Sequence, residues 1–346
     1  MQKTIHVGIV GAGNNTRARH IPGLKALQAV EIVAVCNRSR ESSERVAKEF
    51  GIPSIHSNFR ELVSSPEVDA VVIGTWPYLH CPVTLAALDA GKHVLTEARM
   101  AMNAREAHLM LERARLSPQL VTQVVPSPVT LRVDGTVQQV ISSGFLGELI
   151  AVDAQCNTPD FVDSSSPLHW RQDRELSGMN ILMMGIWYEA VVRWIGEANK
   201  VTSMARVTVK QRKDSQGLLR SIQVPDHVDI LAEMACGAQA RFQFSAVTGL
   251  APPAEIWLFG SDGTLRYQAA SDKLWGGKRG DKELTEIPIP SSLEGRWRVE
   301  EEFINAIRGG EKIRLTTFED GLKYMQFTEA VIRSAQSGAP VSLHEL

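Results

Sequence analysis

The sequence predicts an α/β protein in which a doubly wound parallel sheet precedes an α+β domain with an open, mostly antiparallel sheet. Strand patterns rich in β-branched residues alternate with helical patterns as far as residue 125, and this alternation is typical of a parallel sheet. Between Val201 and Pro290, short strands of alternating polarity follow one another instead, as in antiparallel sheets with one solvated face. The chain has 346 residues, a length that suits about two domains. We expect these domains at residues 1–125 and 126–346.

The elements of the first domain follow from hydrophobic periodicity and from residues that begin or end helices. Strands are predicted at Ile5–Val10, Glu31–Val35, Asp69–Gly74, Val94–Thr96 and Leu120–Val125. Helices are predicted at Thr16–Gln28, at Glu41–Phe50, between Pro82 and Gly91, and after Asn103, which is spaced with Glu106 as a capping box.

The second domain begins where Pro126 and Pro128 interrupt the pattern. A helix is predicted at Thr136–Ser143, a strand at Leu149–Gln155, a long apolar helix at Asn180–Ile195, and the antiparallel strands thereafter. Two helices end the chain, and the last is expected to have Thr316 and Glu319 as its capping box.

Composition and charge exclude several classes of protein. The formal net charge is −2, with acids and bases interspersed, so no basic surface for nucleic acid or a membrane is expected. The four cysteines are scattered without a C-x-x-C pair or a Cys/His cluster, which argues against a metal site and a disulfide framework. No apolar run approaches the ~20 residues that span a bilayer. We expect a cytoplasmic protein.

A glycine motif follows the first predicted strand. Gly11 and Gly13 precede Asn14, Asn15 and Thr16 at the change from strand to helix. In a Rossmann domain the first glycine permits a tight turn, the second lets the backbone approach a pyrophosphate, and the helix start favours the negative charge. The alternative is an ordinary strand-to-helix turn. We interpret residues 1–125 as a dinucleotide-binding Rossmann domain, with Thr16 at the third glycine position loosening helix–strand packing.

The end of the second strand indicates which dinucleotide is preferred. NAD sites usually place an acidic residue here against the ribose 2′-hydroxyl. This chain has Asn37, Arg38 and Ser39, and the first carboxylate comes only at Glu41. An arginine beside a hydroxyl suits a 2′-phosphate, so NADP is favoured over NAD. The alternative is a solvated basic turn.

Several segments spread over nearly the whole chain carry a family resemblance. They are VGIVGAG at 7–13, TWPYLH at 75–80, AGKHVLTE at 90–97, SGFLGEL at 143–149 and the C-terminal EDGLKYMQFTEAVIRSAQSGAPVSL. Together they resemble the Gfo/Idh/MocA oxidoreductases, the family of glucose–fructose oxidoreductase and inositol dehydrogenase. The resemblance implies a nicotinamide cofactor, cofactor contacts at Thr75, Trp76, His80 and Glu97, and a homodimer or homotetramer formed through the C-terminal sheet.

The residues that handle protons in that family are replaced here. The resemblance places a Glu-Lys-Pro triplet at Glu97-Ala98-Arg99, so that Ala98 stands for the lysine. It places an aspartate and a histidine at Met183 and Trp187. Alcohol oxidation needs a group that takes the hydroxyl proton, and Ala, Met and Trp side chains cannot do this. The active site is therefore non-standard, and these three positions are expected to line one apolar pocket.

Substitutes must come from nearby residues. Tyr188, His80 and His169 are candidates for proton transfer, and Arg99 could orient a substrate oxygen but remains protonated. Each has an ordinary alternative: Tyr188 as a core residue, His80 as support for its helix. The expected substrate contacts are Asn180, on the same helix face as Met183, together with Trp187, Trp170 and Arg171.

Three functions from different classes remain open. The first is an NAD(P)-dependent oxidoreductase that acts on a sugar, a polyol or a related hydroxyl compound. The second is a redox-assisted lyase or hydrolase with a tightly bound cofactor. The third is a catalytically silent NAD(P)-binding sensor or partner protein. Net cofactor reduction, turnover without net reduction, and binding without turnover distinguish them.

Overall fold

The computed structural model describes residues 3–181 and 183–346, and it confirms the predicted fold class. The chain forms two compact units. The first contains the residues up to Pro126 together with Arg298–Leu322, and the second contains Ser127–Trp297 together with Lys323–Leu346. Residues 298–322 thus belong with the parallel sheet, which no sequence pattern indicated.

The first unit is a parallel sheet with helices, which we number along the whole chain. Its strands are β1 (Ile5–Val10), β2 (Val30–Cys36), β3 (Ser54–Ile55), β4 (Ala70–Ile73), β5 (His93–Thr96) and β6 (Thr122–Val124). Its helical segments are a π-helical turn at Thr16–His20 that continues into α1 (Ile21–Lys25), then α2 (Arg40–Phe50), α3 (Phe59–Ser64), α4 (His80–Asp89), α5 (Ala104–Arg115) and α9 (Val299–Ile307).

The strand order of this sheet is β3-β2-β1-β4-β5-β6, and each neighbouring pair is parallel. All four residues of β4 are buried, as expected for a strand covered on both faces. The order reverses between β1 and β4. The carboxyl ends of these strands are where open α/β sheets bind their ligands.

The second unit contains a larger sheet. Its helices are α6 (Leu131–Ser142), α7 (Arg174–Ser177), α8 (Met184–Ile195) and, from Lys323 onward, α10 (Phe318–Ser337). Its strands are β7 (Leu149–Asn157), β8 (Ala198–Arg206), β9 (Gln211–Lys213), β10 (Leu219–Ser221), β11 (His227–Met234), β12 (Gln239–Ser245), β13 (Glu255–Gly260), β14 (Gly263–Gln268), β15 (Lys273–Lys278), β16 (Thr285–Ile287) and β17 (Val341–Ser342).

Within the described residues, the large sheet has the order β16-β15-β14-β13-β7-β12-β11-β8-β17, and β9 pairs with β10 separately. In the large sheet β7 and β12 are parallel, and the other pairs are antiparallel.

Alternation along β11 separates two faces of this sheet. Val228, Ile230 and Ala232 are buried, whereas Leu231 between them is 62% exposed. Phe242 on the paired strand β12 also points into the core. The buried face therefore packs on the unit's own helices, as the sequence predicted.

Two helix starts differ from the sequence prediction. The helix expected from Asn180 begins at Met184, because Met183 adopts a left-handed conformation with φ +64° and ends helical propagation toward the N-terminus. The last helix is capped by Thr317, whose hydroxyl accepts the Asp320 N–H at 3.1 Å, rather than by Thr316. Thr316 is unsuited to the cap because its backbone pairs with Val124 in both directions.

The third glycine position of the nucleotide motif also differs from expectation. Thr16 does not loosen the packing: it is buried, and its hydroxyl donates to Gly11 O at 3.2 Å. Space for it comes from Gly74 just after β4, where an added Cβ would lie 2.0 Å from Thr16 Oγ1. The small residue that permits close packing lies on the strand side instead of the helix side.

Residues 3–181 and 183–346 contain neither a candidate membrane span nor a candidate metal site. None of the helices there is both long enough and apolar enough to cross a bilayer. No group of three or more His, Cys, Asp or Glu side chains there is arranged to hold a metal ion.

Candidate functional site: the dinucleotide turn and the residues around it

The glycine turn packs closely against the residues that follow β4. Gly11 has φ +85°, a left-handed conformation that favours glycine. A Cβ at this position would lie 2.6 Å from Thr75 Cγ2 and 2.7 Å from Thr75 N. Gly13 and Asn14 are exposed. The backbone here can be approached from solvent, as a bound pyrophosphate requires.

Of the three residues that follow β2, Asn37 and Ser39 make structural hydrogen bonds, and Arg38 is exposed. The Asn37 side chain accepts the Ala12 N–H at 2.7 Å and donates to Ser42 O at 3.2 Å. It therefore fastens the glycine turn to the start of α2. The Ser39 hydroxyl caps α2 by accepting the Ser42 N–H at 3.2 Å. Arg38 is exposed, and its guanidinium lies 5.5 Å from the centre of the Trp76 ring.

His80 connects two loops at the carboxyl edge of the sheet. Its side chain is buried, and its ring nitrogens lie 2.8 Å from Arg99 O and 3.0 Å from Thr75 O. Burial lowers the pKa of His80, and these carbonyl groups oppose that effect only in part. Both nitrogens face backbone carbonyl oxygens, of which a neutral ring can donate to one, so the contacts favour a structural role for His80, and its role in proton transfer stays a prediction. His80 fixes Thr75 relative to Arg99.

A buried charged cluster that sequence reasoning missed lies at the start of the first helix. His20 is 0% exposed. Its Nδ1 lies 2.5 Å from Glu300 Oε1, and its Nε2 lies 3.0 Å from Glu97 Oε1. Asn15 Nδ2 also donates to Glu97 Oε1, at 2.5 Å, and the second Glu97 oxygen accepts the Ala98 N–H at 3.3 Å. The cluster joins the glycine-turn helix, the end of β5 and α9.

The electrostatics of this cluster favour a proton on His20. Burial alone would lower its pKa, but the hydrogen bonds to Glu300 and Glu97 and their negative charges raise it to about 9. Burial opposes ionisation of Glu97, yet the hydrogen bond and charge of His20 lower the pKa of Glu97 overall. Both imidazole nitrogens face carboxylate oxygens, and only an imidazolium can donate to both. His20 is therefore charged at neutral pH.

Tyr188, the preferred candidate for proton transfer, is a core residue of the second unit. Its side chain is fully buried, its ring stacks on Phe327 at 3.6 Å between centroids, and its hydroxyl accepts the Ala198 N–H at 2.8 Å. Burial raises the pKa of Tyr188. Helix α8 directs this side chain into the aromatic core, which also contains Phe242. These contacts favour the core role of Tyr188, and its role in substrate proton transfer stays a prediction.

The other predicted residues on and before α8 are also mostly buried. Trp187 is 5% exposed, which favours a packing role over an open stacking platform. Asn180 lies outside the helix and does not share a helical face with Met183. Its Nδ2 donates to Ser177 O at 2.6 Å. Because Met183 has a left-handed conformation, Asn180 lies before the start of α8 and is not part of it.

His169, Trp170 and Arg171 form a local group before α7. The Arg171 guanidinium lies 4.2 Å from the centre of the Trp170 ring. His169 is exposed, and its Nδ1 accepts the Arg171 N–H at 3.3 Å. Partial burial and the Arg171 charge lower the pKa of His169. Among the three predicted proton carriers, only His169 has an exposed ring, although its lone pair caps a turn.

Comparison with known families decides the class. The family model described as "Oxidoreductase family, NAD-binding Rossmann fold" matches residues 5–123, and the model described as "GFO/IDH/MocA C-terminal domain" matches residues 135–266. The chain belongs to the Gfo/Idh/MocA oxidoreductase family. This confirms the predicted resemblance and the NAD-binding Rossmann domain.

Individual relatives of this Gfo/Idh/MocA protein are distant. The trans-1,2-dihydrobenzene-1,2-diol dehydrogenase of Mus musculus is 26% identical over 71% of this chain and 67% of its own length. The levoglucosan dehydrogenase of Pseudarthrobacter phenanthrenivorans is 21% identical over 99% of both chains. A levoglucosan dehydrogenase structure in complex with NADH and L-sorbose has a TM-score of 0.86 at 19% identity, covering 98% of this chain and 99% of that one. At this identity the structural match shows the fold.

The residues at the dinucleotide turn fit a nicotinamide dinucleotide. The left-handed Gly11 packs directly against Thr75, the exposed Gly13 leaves its backbone open to a ligand, and Asn37 holds the turn in place through Ala12 N–H. When bound, the cofactor supplies the hydride acceptor or donor. The turn, the exposed Arg38 and the loop held by His80 are the parts of this unit that would hold it. Ala98, Met183 and Trp187 supply no proton-transferring group.

Replacing Tyr188 with Phe separates a core role from a chemical one. The change removes the acceptor of the buried Ala198 N–H, and leaving such a donor unsatisfied costs about 1–3 kcal/mol. We expect chemical denaturation to show a loss of this size, with cofactor affinity unchanged in calorimetry. Phe327→Leu, which removes the stacked ring, is the matched control for packing. Unchanged stability with lost turnover of any substrate would restore Tyr188 as a catalytic residue.

Proposed function

We propose that this Gfo/Idh/MocA protein is an NAD(P)-dependent oxidoreductase that interconverts a hydroxyl and a carbonyl group on a sugar, a polyol or a related compound. The observation that carries the proposal is the complete dinucleotide turn, formed by Gly11 and Gly13 and held by Asn37. Relatives named as dehydrogenases of levoglucosan and of a dihydrodiol support a cyclic hydroxyl substrate.

The proton that leaves the hydroxyl needs a route that avoids the buried candidates. His169 can reach solvent, and it becomes a base if the 3.3 Å cap to Arg171 N opens. A bound water is the other route. Arg99 is partly exposed, and we propose that its guanidinium orients the substrate oxygen, since arginine remains protonated.

A second candidate function is a catalytically silent NAD(P)-binding sensor or partner protein. It is favoured by one specific observation: Tyr188 and His80 are committed to the core and to backbone carbonyls, respectively. A protein that only binds the dinucleotide needs no proton carrier. The redox-assisted lyase or hydrolase has no comparable support.

A substrate panel decides between these functions. Sugars, anhydrosugars and polyols are offered with NAD and NADP, and nicotinamide absorbance is read together with product analysis. We expect net cofactor reduction with at least one cyclic hydroxyl compound. His169→Gln should lower kcat by roughly 10²–10⁴-fold if His169 is the base, while Tyr188→Phe should leave kcat unchanged. Cofactor binding without turnover across the panel would establish the silent alternative.

Cofactor preference depends on the exposed residue after β2. We propose that Arg38 binds the 2′-phosphate of NADP, since Asn37 and Ser39 are used in the turn and in the helix cap. Glu41 is the nearest carboxylate in the sequence that could repel the 2′-phosphate. Its charge is paired with Arg45 at 2.6 Å, which reduces that repulsion. Calorimetry should show tighter NADPH than NADH binding, and Arg38→Asp should reverse the order. Arg40→Asp, which removes an exposed partner of Glu44, is the matched control. Equal affinities in the parent protein would contradict the preference.

We further propose a homodimer or homotetramer formed through the exposed face of the large sheet. Apolar side chains stand on that face: Leu231 is 62% exposed and Met204 is 78% exposed. Burying them against a second copy would remove apolar area from water. Light scattering at micromolar concentration should report an oligomer, and Leu231→Glu with Met204→Glu should shift it toward monomer. A parent protein that is monomeric would rule out this assembly.

A further inference from the structure

The buried cluster of His20, Glu97 and Glu300 is not explained by the proposed reaction. It lies within the first unit and joins three separate segments: the helix after the glycine turn, the loop after β5, and α9. No chemical step of the proposed function uses it. His20 and Glu300 are buried and Glu97 is partly buried, and burying ionisable groups costs free energy unless they are paired and hydrogen-bonded, so their arrangement needs an account.

Close contacts fix the positions of both carboxylates that flank His20. An added Cβ at Gly23 would lie 2.9 Å from Glu300 Cγ and 3.0 Å from Glu300 Oε2, so α1 carries a glycine where Glu300 crosses it. Glu97 Oε1 accepts from His20 and from Asn15, while Glu97 Oε2 accepts from Ala98 N. The cluster thus sets the side chain of Asn15 and the backbone that follows β5.

We propose that His20, as an imidazolium between Glu97 and Glu300, is a positioning residue for the dinucleotide, and that its proton is linked to dinucleotide binding. With the proton the cluster carries one negative charge; without it, two. His20 ends the π-helical turn that follows the glycines, seven residues after Gly13. Its charge is buried, and buried charges are screened by salt much less than exposed ones. The anionic pyrophosphate therefore binds less tightly once the proton leaves.

The groups that face His20 come from every neighbouring segment. Glu97 follows β5, Glu300 belongs to α9, and Asn15 precedes His20 on its own helical segment. On α4, His80 contributes to the lowered pKa of Glu97, less than His20 and Asn15 do. Arg17 and Arg19 of the same segment are exposed, and Arg17 pairs with Glu49 at 2.6 Å.

The sign of the pH dependence follows from the raised pKa. His20 should stay protonated up to about 9, so dinucleotide affinity should be constant between about pH 7 and 8 and fall as the pH rises through 9. Linkage is reciprocal: if the proton strengthens binding by a given factor, the dinucleotide strengthens proton binding by the same factor. We expect roughly a fivefold factor or more, the lower end of typical coupling.

The experiment measures NADH binding by calorimetry between pH 6 and 10, and His20 ionisation by NMR with and without NADH. NADH is the probe because, unlike NADPH, it has no 2′-phosphate titrating near pH 6. The inference rests on dinucleotide binding and not on turnover. Absence of binding at pH 7 by both NADH and NADPH would therefore refute the cofactor assignment, whereas pH-independent NADH binding would refute the linkage alone.

Glu300→Gln is the decisive variant, because it keeps an acceptor for His20 while removing one stabilising charge. The pH at which NADH affinity falls should move below that of the parent protein. Glu301→Gln on the same helix is the matched control, since Glu301 pairs with Arg298 at 2.8 Å, and it should leave the profile unchanged. His20→Gln should abolish the transition. A purely structural role would lower stability without moving the midpoint in Glu300→Gln, and that result would overturn the proposal.

Discussion

The crowded junction at the carboxyl ends of β1 and β4 is the constraint on which the site depends. Gly11, in its left-handed conformation, approaches Thr75 so closely that neither Cβ nor larger groups fit between them. Gly74 is equally constrained, because Thr16 Oγ1 and Gly11 O occupy the volume that its Cβ would fill. Asn37 and His80 then hold the two loops of this junction from either side, through Ala12 N–H and Thr75 O. The close packing and these hydrogen bonds together hold the dinucleotide turn against the loop that follows β4.

Much of the fold could be predicted because burial leaves a periodic signal. The buried strand β4 reads as a continuous apolar run, and β11 alternates because one of its faces is exposed. The start of α8 left no such signal. The apolar residues before Met184 extend the helical pattern, and only the positive φ of Met183 shows that the helix has not begun. No local sequence pattern marks that conformation.

The candidate site was predictable in its glycines and unpredictable in its polar contacts. Tyr188 follows the family's usual histidine position directly, but each helical residue turns the side chain by about 100°, which here leads into the stack on Phe327. His20 and Glu300 are separated by 280 residues in the sequence. An ion pair between residues so far apart leaves no periodic pattern from which it could be predicted. The three acidic residues that open α9 resemble an ordinary helix start, yet Glu300 reaches His20, and Glu302 accepts from Gln123.

Ionised groups in the interior are poor stabilisers, and this bears on what the first unit is built to do. Replacing a buried ion pair or triad with apolar residues of similar volume is often neutral or stabilising. A cluster such as His20 with Glu97 and Glu300 is therefore weakly motivated by stability alone. The cluster, however, places its charges one helical segment away from the glycine turn, where the anionic dinucleotide binds. There the same charges act on the ligand as well as on the fold. The chain thus has apolar side chains at Ala98, Met183 and Trp187 and keeps charged ones on the helical segment that follows the glycine turn.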